Sequence, residues 1–362
     1  MSRINTRQSR VTVDNWQEPE NLSWSFHHMD ELFANAEIRA TATDSASPLQ
    51  RAVAGDPVGL RGMAVRLPDG SDRTVGQVLA ATSTDAWMVL HGNEVLVEEY
   101  FGAMAPDTRH LLMSVSKSIV SAVVGVLAGQ GKIDTAQPIE HYVPELSASG
   151  YRGAAVRDIL DMRSGIKFSE EYLDAGSEVR KLDEAVGWAP RNGGAGTLKE
   201  FLVTLEQARE HGGHFEYRSC ETDVLGWLCE AASGKPFAEL ASEVLWSRMG
   251  ARHDAYISLD AAGTGMFDGG ICATLGDMAL FGAMIRDGGA SLNDERILEP
   301  AWVEDIFTGG PDSAAAFAAG NHAEAMPGGS YRSQFWFLSD DPIRHIASGS
   351  TGKWSISTGS QG

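Results

Sequence analysis

Ser114 and Lys117 are the residues whose types and spacing first suggest catalysis in this sequence. They precede an apolar stretch, 119–128, that is typical of a buried helix. Residues i and i+3 share a helix face, so the hydroxyl and the amine are expected to lie together. Burial should lower the pKa of Lys117 and make its amine a base, and the helix N-terminus favours a developing oxyanion. On its own, the motif also fits a capping serine beside a solvated lysine.

Two later clusters carry further polar groups. Tyr217 can shuttle a proton if its phenol lies against the serine–lysine pair, and Ser219 adds a second hydroxyl. Taken alone, the same residues fit a buried tyrosine ahead of a capped helix. In the stretch 347–353, Gly349 and Gly352 permit close approach of a ligand or another backbone. That spacing suits a strand whose N–H binds an oxyanion, and it suits a loosened turn equally well.

Other catalytic signatures are missing from the sequence. There is no G-x-S-x-G elbow, no H-E-x-x-H helix and no phosphate-binding loop. The histidines lack metal-ligand spacing, and we interpret His27 and His28 as surface or core residues. The sequence therefore predicts no metal site and no cofactor.

Composition narrows the class of protein. The 362 residues suffice for one large domain or two closely joined ones. A formal net charge of −20 argues against a nucleic-acid partner, because phosphate binding requires a basic face. Three scattered cysteines form neither a disulfide framework nor a metal motif, and the polar N-terminus resembles no secretory signal. No apolar stretch approaches the length of about 20 residues that a membrane-spanning helix needs. We expect a cytoplasmic protein without a membrane partner.

The elements that must position these groups can be outlined from periodicity and turn residues. A β-hairpin is predicted at 86–100 and a buried helix at 114–130. Further helices are predicted at 156–162, 197–210, 222–232, 236–249 and 275–286, and strands at 334–338, 343–347 and 353–358. If the first and last strands share one sheet, the helical middle is an insertion between them.

The three polar clusters also occur in a familiar order and spacing. S-x-x-K, then Y-x-S about 100 residues later, then a small-small-Gly strand near the end resembles the serine β-lactamase and penicillin-binding-protein superfamily, especially its class C-like esterases and amidases. The stretches 160–165 and 269–277 match further superfamily motifs, and the resemblance covers 85–358. It implies a β-lactamase-like α/β (α+β) fold, an antiparallel sheet flanked by helices with an inserted all-helical domain. The sheet domain would comprise 1–105 and 265–362, and the helical domain 106–264.

Within the superfamily, the sequence is most similar to the 6-aminohexanoate-dimer (nylon-oligomer) hydrolases, through 112–118, 169–174, 183–188 and 222–227. The resemblance implies a serine hydrolase that cleaves carboxylic esters or small linear amides without a cofactor. Ser114 would form the acyl-enzyme, and Lys117 with Tyr217 would manage the proton. The oxyanion would bind the backbone N–H groups of Ser114 and Ser350.

Substrate-side roles follow from the same resemblance. Tyr172 would contact the leaving amine, and Asp183 would hold the ammonium end of an aminohexanoate-like substrate. Asp268, Ser219 and Gly349 would complete the substrate-binding residues.

Two departures from the family pattern matter. Ala347 replaces a lysine that in β-lactamases supplies positive charge for the carboxylate of the drug, which argues against penicillins as main substrates. The sequence also stops at Gly362, where relatives continue with a strand and a helix, so we expect a shortened C-terminal end.

Two alternatives remain open at this point. One is a β-lactamase or DD-peptidase activity on the same fold, and the other is a catalytically silent binding protein. The expected partner is a small-molecule ester or amide, and a homodimer is left open.

Overall fold

The computed structural model describes residues 11–40, 48–51, 57–67, 69–338 and 345–346. Within these ranges the α-helices are α1 (Leu22–Ser25), α2 (Met29–Leu32), α3 (Pro57–Gly62), α4 (Val75–Ala81), α5 (Ser116–Gly129), α6 (Val156–Leu160), α7 (Glu178–Val186), α8 (Leu198–Leu202), α9 (Ser219–Ser233), α10 (Phe237–Ala241), α11 (Leu275–Arg286), α12 (Pro300–Thr308) and α13 (Ser313–Ala318). The strands are β1 (Asn35–Ile38), β2 (Gln50–Arg51), β3 (Ala64–Arg66), β4 (Asp72–Thr74), β5 (Ala86–His91), β6 (Glu94–Tyr100), β7 (His110–Leu111), β8 (Ala255–Ser258), β9 (Ile271–Ala273), β10 (Ser330–Arg332), β11 (Phe335–Phe337) and β12 (His345–Ile346). No helix in these ranges has the length and apolarity needed to cross a membrane.

The strands form four small sheets. One is antiparallel with strand order β1–β8–β9–β7, and a second is antiparallel with the order β10–β11–β12. The predicted hairpin is present as β5 and β6, with β2 parallel to β6. In the described ranges this hairpin and the C-terminal strands lie in different sheets, so their union in one sheet stays a prediction. The same holds for the two predicted domains, since the first sheet draws strands from both.

Helix α5 is buried as its composition predicts. Every residue from Ser116 to Leu127 is buried, because apolar side chains cover nearly the whole circumference of the helix. Ser114 lies just before this helix, in the 3₁₀ turn Met113–Val115. Met113 has a φ of 47°, in the left-handed region that residues other than glycine rarely adopt, so the backbone is strained beside the serine.

The other predicted helices are present with adjusted bounds. The helix predicted at 222–232 is α9, which begins three residues earlier, and 275–286 matches α11. The helix predicted at 197–210 is too long, since α8 ends at Leu202. The backbone beyond it bonds to other segments instead, with Gly150 N–H donating to Leu205 O at 2.7 Å and Lys167 N–H to Glu206 O at 2.8 Å. The strand predicted at 353–358 lies outside the described residues.

One buried amide joins three helices to the C-terminal strands. Gln334 donates to Leu160 O at 2.9 Å, and its Oε1 accepts from the Thr222 hydroxyl at 2.8 Å. Its backbone carbonyl accepts from the Ser118 hydroxyl at 2.9 Å. Gln334 therefore bonds to α6, α9 and α5, and these hydrogen bonds give the buried polar groups the partners that they need.

A glycine allows α9 to pack against the segment that leads to β9. A Cβ at Gly226 would lie 2.1 Å from Cγ of Phe267. Because neither the ring nor the helix can yield by that distance without moving backbone, we expect Gly226→Ala to destabilise the protein by about 1–3 kcal/mol. Urea denaturation measures this change.

Gly276→Ala is the matched control for that substitution. This glycine is also helical, but a Cβ there meets nothing within 4 Å, so the change should be neutral or stabilising by up to about 1 kcal/mol. Equal stabilities of the two variants would contradict the packing argument.

Candidate active site

The Ser114 hydroxyl and the Lys117 amine meet in the interior. Lys117 Nζ donates to Ser114 Oγ at 3.2 Å, as the i, i+3 spacing predicts. The same ammonium donates to the backbone carbonyl of Asp268 at 2.6 Å and lies 3.5 Å from its carboxylate. Ser114 is 8% exposed and Lys117 is 1% exposed, so substrate atoms reaching the serine would be shielded from bulk water.

The charge state of Lys117 differs from the sequence-based expectation. Burial alone would lower its pKa, but the neighbouring Tyr217, Asp268, Glu170 and Asp223 outweigh burial and raise the pKa above the ordinary lysine value. The expectation of a lowered pKa is therefore wrong. In the resting site at neutral pH, Lys117 is an ammonium.

Tyr217 completes the group around Ser114. Lys117 Nζ lies 5.4 Å from the centre of the Tyr217 ring, and the neighbouring Ser114 hydroxyl acts to lower the pKa of the phenol. Burial raises the pKa of Tyr217 although Lys117 opposes the shift. The ring stacks on Trp336 with centroids 5.2 Å apart, which holds the phenol against the serine. The structure therefore brings Ser114, Lys117 and Tyr217 together.

Asp268 is held in place by a second buried carboxylate. Asp223, in α9, accepts from the backbone N–H groups of Phe267 and Asp268, each at 3.1 Å. Burial raises the pKa of Asp223. Asp268 Oδ1 is buried and has no hydrogen-bond partner within the described residues.

The site also contains Glu170, which the sequence analysis missed. The Ser219 backbone N–H donates to its Oε1, and burial raises its pKa against the influence of Lys117. Tyr172 is 44% exposed, yet burial of its hydroxyl and the neighbouring Glu170 raise its pKa. Ser219 itself is 1% exposed, so its predicted contact with substrate stays a prediction.

Asp183 lies at the end of the same acidic group. Its carboxylate accepts a hydrogen bond from Arg180 Nη1 at 2.7 Å, and the residue is 5% exposed. Burial raises the pKa of its carboxyl to about 7, Arg180 opposes that shift, and Asp268 and Glu170 add to it. Asp183, Asp268 and Glu170 thus interact electrostatically, with Lys117 beside Asp268 and Glu170 and Arg180 beside Asp183.

A cavity of about 410 Å³ opens beside this group. Glu170 and Tyr217 form part of its lining, together with Phe168, Glu178 and Arg209. Its volume accommodates a small organic molecule. Gly349 and Ser350, the predicted substrate and oxyanion residues of the last motif, lie outside the described residues.

Comparison with known proteins is consistent with this geometry. The family model described as Beta-lactamase matches residues 71–347. The 6-aminohexanoate-dimer hydrolase of Paenarthrobacter ureafaciens is 41% identical over 328 residues, which cover 90% of this chain and 79% of that protein.

Solved structures resemble most of the chain. A Bacillus anthracis structure assigned as a 6-aminohexanoate-dimer hydrolase gives a TM-score of 0.82 at 24% identity, covering 98% of this chain and 92% of that one. A hydrolase with promiscuous acyltransferase activity gives 0.57 at 17% identity, covering 73% and 81%. These likenesses confirm the fold class predicted from the sequence.

Proposed function

Because this chain belongs to the beta-lactamase family of serine hydrolases, we propose that it cleaves carboxylic esters and small linear amides, including amides like the 6-aminohexanoate dimer. The observation that carries the proposal is the buried contact of Ser114 Oγ with Lys117 Nζ at 3.2 Å, beside the phenol of Tyr217. A hydroxyl held against a lysine and a tyrosine that can take its proton once the pair has lost one is an arrangement suited to covalent catalysis.

The proton route runs through Lys117 and Tyr217 as one unit. Both pKa values lie above their ordinary ranges, so the pair must first lose one proton to become a base. It then takes the Ser114 proton as Oγ attacks the carbonyl carbon, and it delivers that proton to the leaving oxygen or nitrogen. Water next attacks the acyl-enzyme, with Tyr217 as base, which releases the acid and restores the serine.

The acidic surroundings favour a cationic substrate group. Asp268 and Glu170 each add to the raised pKa of Asp183, so the three carboxyl groups repel one another when they are ionised. A substrate ammonium beside them would relieve this repulsion and gain a charge-assisted hydrogen bond. Tyr172, at the exposed rim beside Glu170, is the group that would contact a leaving amine. The oxyanion contact of Ser350 rests on the family resemblance alone.

We also propose a cytoplasmic location and a division into the two domains expected from the sequence. Cys220, Cys229 and Cys272 are free and buried, which suits a reducing compartment.

Turnover of a defined substrate panel tests the proposed function. The panel contains a short p-nitrophenyl ester, the 6-aminohexanoate dimer, its N-acetylated form and the cephalosporin nitrocefin. We expect hydrolysis of the ester and of the amino-terminated dimer, weaker hydrolysis of the acetylated dimer, and little of nitrocefin. Nitrocefin turnover above that of the ester would favour β-lactamase activity, and inactivity on all four would contradict a hydrolase.

Asp183→Asn is expected to weaken recognition of the amino-terminated dimer. Loss of a charge-assisted bond of about 1.5–3 kcal/mol should lower kcat/KM about 10- to 100-fold for this substrate. The amide oxygen of asparagine can still accept from Arg180, so folding should be preserved. The p-nitrophenyl ester has no ammonium and serves as the matched control.

The pH profile adds a second readout. Asp183 ionises around pH 7, so the ratio of dimer to ester kcat/KM should rise as the pH rises through about 7 in wild type. The ratio removes contributions from groups that act equally on both substrates. A ratio that rises equally in Asp183→Asn would contradict the assignment.

A further inference from the structure

Three potential metal ligands meet away from the candidate active site. His27 follows α1, Asp85 immediately precedes β5, and His110 is the first residue of β7. His27 Nε2 lies 3.8 Å from Asp85 Oδ1, and His110 Nε2 lies 3.3 Å from Asp85 Oδ2. One ligand atom from each residue lies within 4.8 Å of those of the other two. This is the one such group among the residues that the structure describes.

The hydrogen bond on the far side of His110 fixes its tautomer. His110 Nδ1 lies 2.8 Å from Leu111 O, and a carbonyl oxygen can only accept, so the Nδ1 nitrogen carries the hydrogen. In the neutral ring, the Nε2 lone pair then points at Asp85, which is itself an acceptor. Two acceptors at this distance require a proton or a cation between them. A histidine oriented by a backbone carbonyl is the usual arrangement around a bound metal.

His27 supplies the second nitrogen. Its side chain is 3% exposed, and its Nε2 has no hydrogen-bond partner within the described residues. A buried polar atom without a partner is costly, and a metal ion would satisfy it. Asp85 is 28% exposed at its side chain, so the group communicates with solvent and an ion can enter.

We propose that His27, Asp85 and His110 bind a Zn²⁺ ion, with water as the fourth ligand. Two imidazole nitrogens and one carboxylate oxygen are a zinc donor set, whereas Ca²⁺ and Mg²⁺ prefer oxygen ligands throughout. Ligand atoms about 2.0–2.1 Å from a tetrahedral ion lie about 3.3 Å apart. The spacings of 3.3 and 3.8 Å are measured to different oxygens of Asp85, and all three ligand atoms lie within 4.8 Å of one another. Side-chain rotations that close the ligand atoms by up to about 1.5 Å would therefore complete the site.

The ion would connect three distant parts of the chain. It would join the N-terminal helices, the start of the β5–β6 hairpin, and the strand that leads into the turn carrying Ser114. Leu111 N–H also donates to Phe26 O at 2.8 Å. The segments that carry His27 and His110 are therefore already joined by a backbone hydrogen bond. Because the reaction proposed above uses no metal, zinc here would act on stability.

Metal titration of the full chain tests this site. After dialysis against a chelator, Zn²⁺ is added in competition with a chromogenic chelator, and Co²⁺ is used separately as a spectroscopic probe. We expect one Zn²⁺ per chain, a visible Co²⁺ absorption of tetrahedral strength, and a rise in Tm with Zn²⁺ concentration. His27→Gln and Asp85→Asn should each weaken Zn²⁺ binding at least about 10-fold.

His141→Gln is the matched control, because this histidine is exposed and lies outside the group. The Zn²⁺ affinity of the His141→Gln variant should equal that of wild type. Circular dichroism reports whether each variant folds, and if His27→Gln does not, Asp85→Asn and the wild-type Co²⁺ spectrum decide. Wild type without stoichiometric Zn²⁺, a six-coordinate Co²⁺ spectrum, or variants that bind as wild type does would each overturn the proposal.

Discussion

Replacing Ser114 with alanine is expected to lower kcat for a short p-nitrophenyl ester by roughly 10⁴–10⁶-fold. The substitution removes the attacking oxygen and leaves Lys117 and Tyr217 with no proton to accept. Stability should change by only about 1 kcal/mol, the net value of the hydrogen bond from Lys117 at 3.2 Å. Initial rates of ester hydrolysis measure the first effect, and urea denaturation measures the second.

Ser121→Ala is the matched control on the same helix. Its hydroxyl is buried and has no hydrogen-bond partner within the described residues, so its removal should leave the rate unchanged. A fluorophosphonate probe adds an independent readout, since it should label wild type and Ser121→Ala but not Ser114→Ala. Equal ester turnover by wild type and Ser114→Ala would show that another group is the nucleophile.

Removing the charge of Lys117 should damage both catalysis and folding. In Lys117→Ala, the carboxylates of Asp268, Glu170 and Asp223 lose the buried cation that they share. We expect a loss of about 3–5 kcal/mol in the free energy of unfolding, as for other broken buried ion pairs. Activity should fall by about 10²–10⁴-fold or more, because the base that deprotonates Ser114 is lost.

The sign of the pH dependence distinguishes this cause from a simple packing defect. Without the cation, the folded carboxylates bind protons more tightly than the unfolded ones do. Stability must then fall as the pH rises, so the deficit of Lys117→Ala should be larger at about pH 8 than at about pH 5.5. Urea denaturation at both pH values measures the difference.

Lys181→Ala serves as the control for that comparison. This lysine is half exposed and lies 3.4 Å from Glu178 on a surface helix, so its loss should cost less than about 1 kcal/mol. A pH-independent deficit in Lys117→Ala would mean that lost packing, rather than unpaired charge, is responsible.

The parts of the site that depend on local spacing could be predicted from the sequence. Ser114 and Lys117 meet because they are separated by one helical turn, and α5 is buried because its composition leaves no polar face. The expected position of Tyr217 came from the family resemblance, and the structure brings this residue to the same place. Its polar neighbours did not reveal that position.

The parts that depend on distant residues could not be predicted. The pKa of Lys117 is raised because Tyr217 and carboxylates 53 to 151 residues away surround it, and a burial argument on one helix ignores them. Glu170 lies in a stretch of several acidic residues, with no periodicity to mark the one that turns inward. His27 and Asp85 are likewise far apart in the sequence, so no short metal-binding motif marks them as a pair.

The contacts of Gln334 have a consequence for the order in which the protein is made. The hydroxyl of Ser118 in α5 donates to the backbone carbonyl of Gln334, which lies 216 residues later in the chain. At about 5–20 residues per second, roughly 10–40 s of translation separate the two. Helix α9 follows α5 only after about 100 further residues and the C-terminal strands only at the end, so part of the apolar surface of α5 is uncovered throughout that interval. The helix that follows the nucleophile is therefore an apolar segment of the nascent chain that acquires its final packing only after synthesis has passed residue 334.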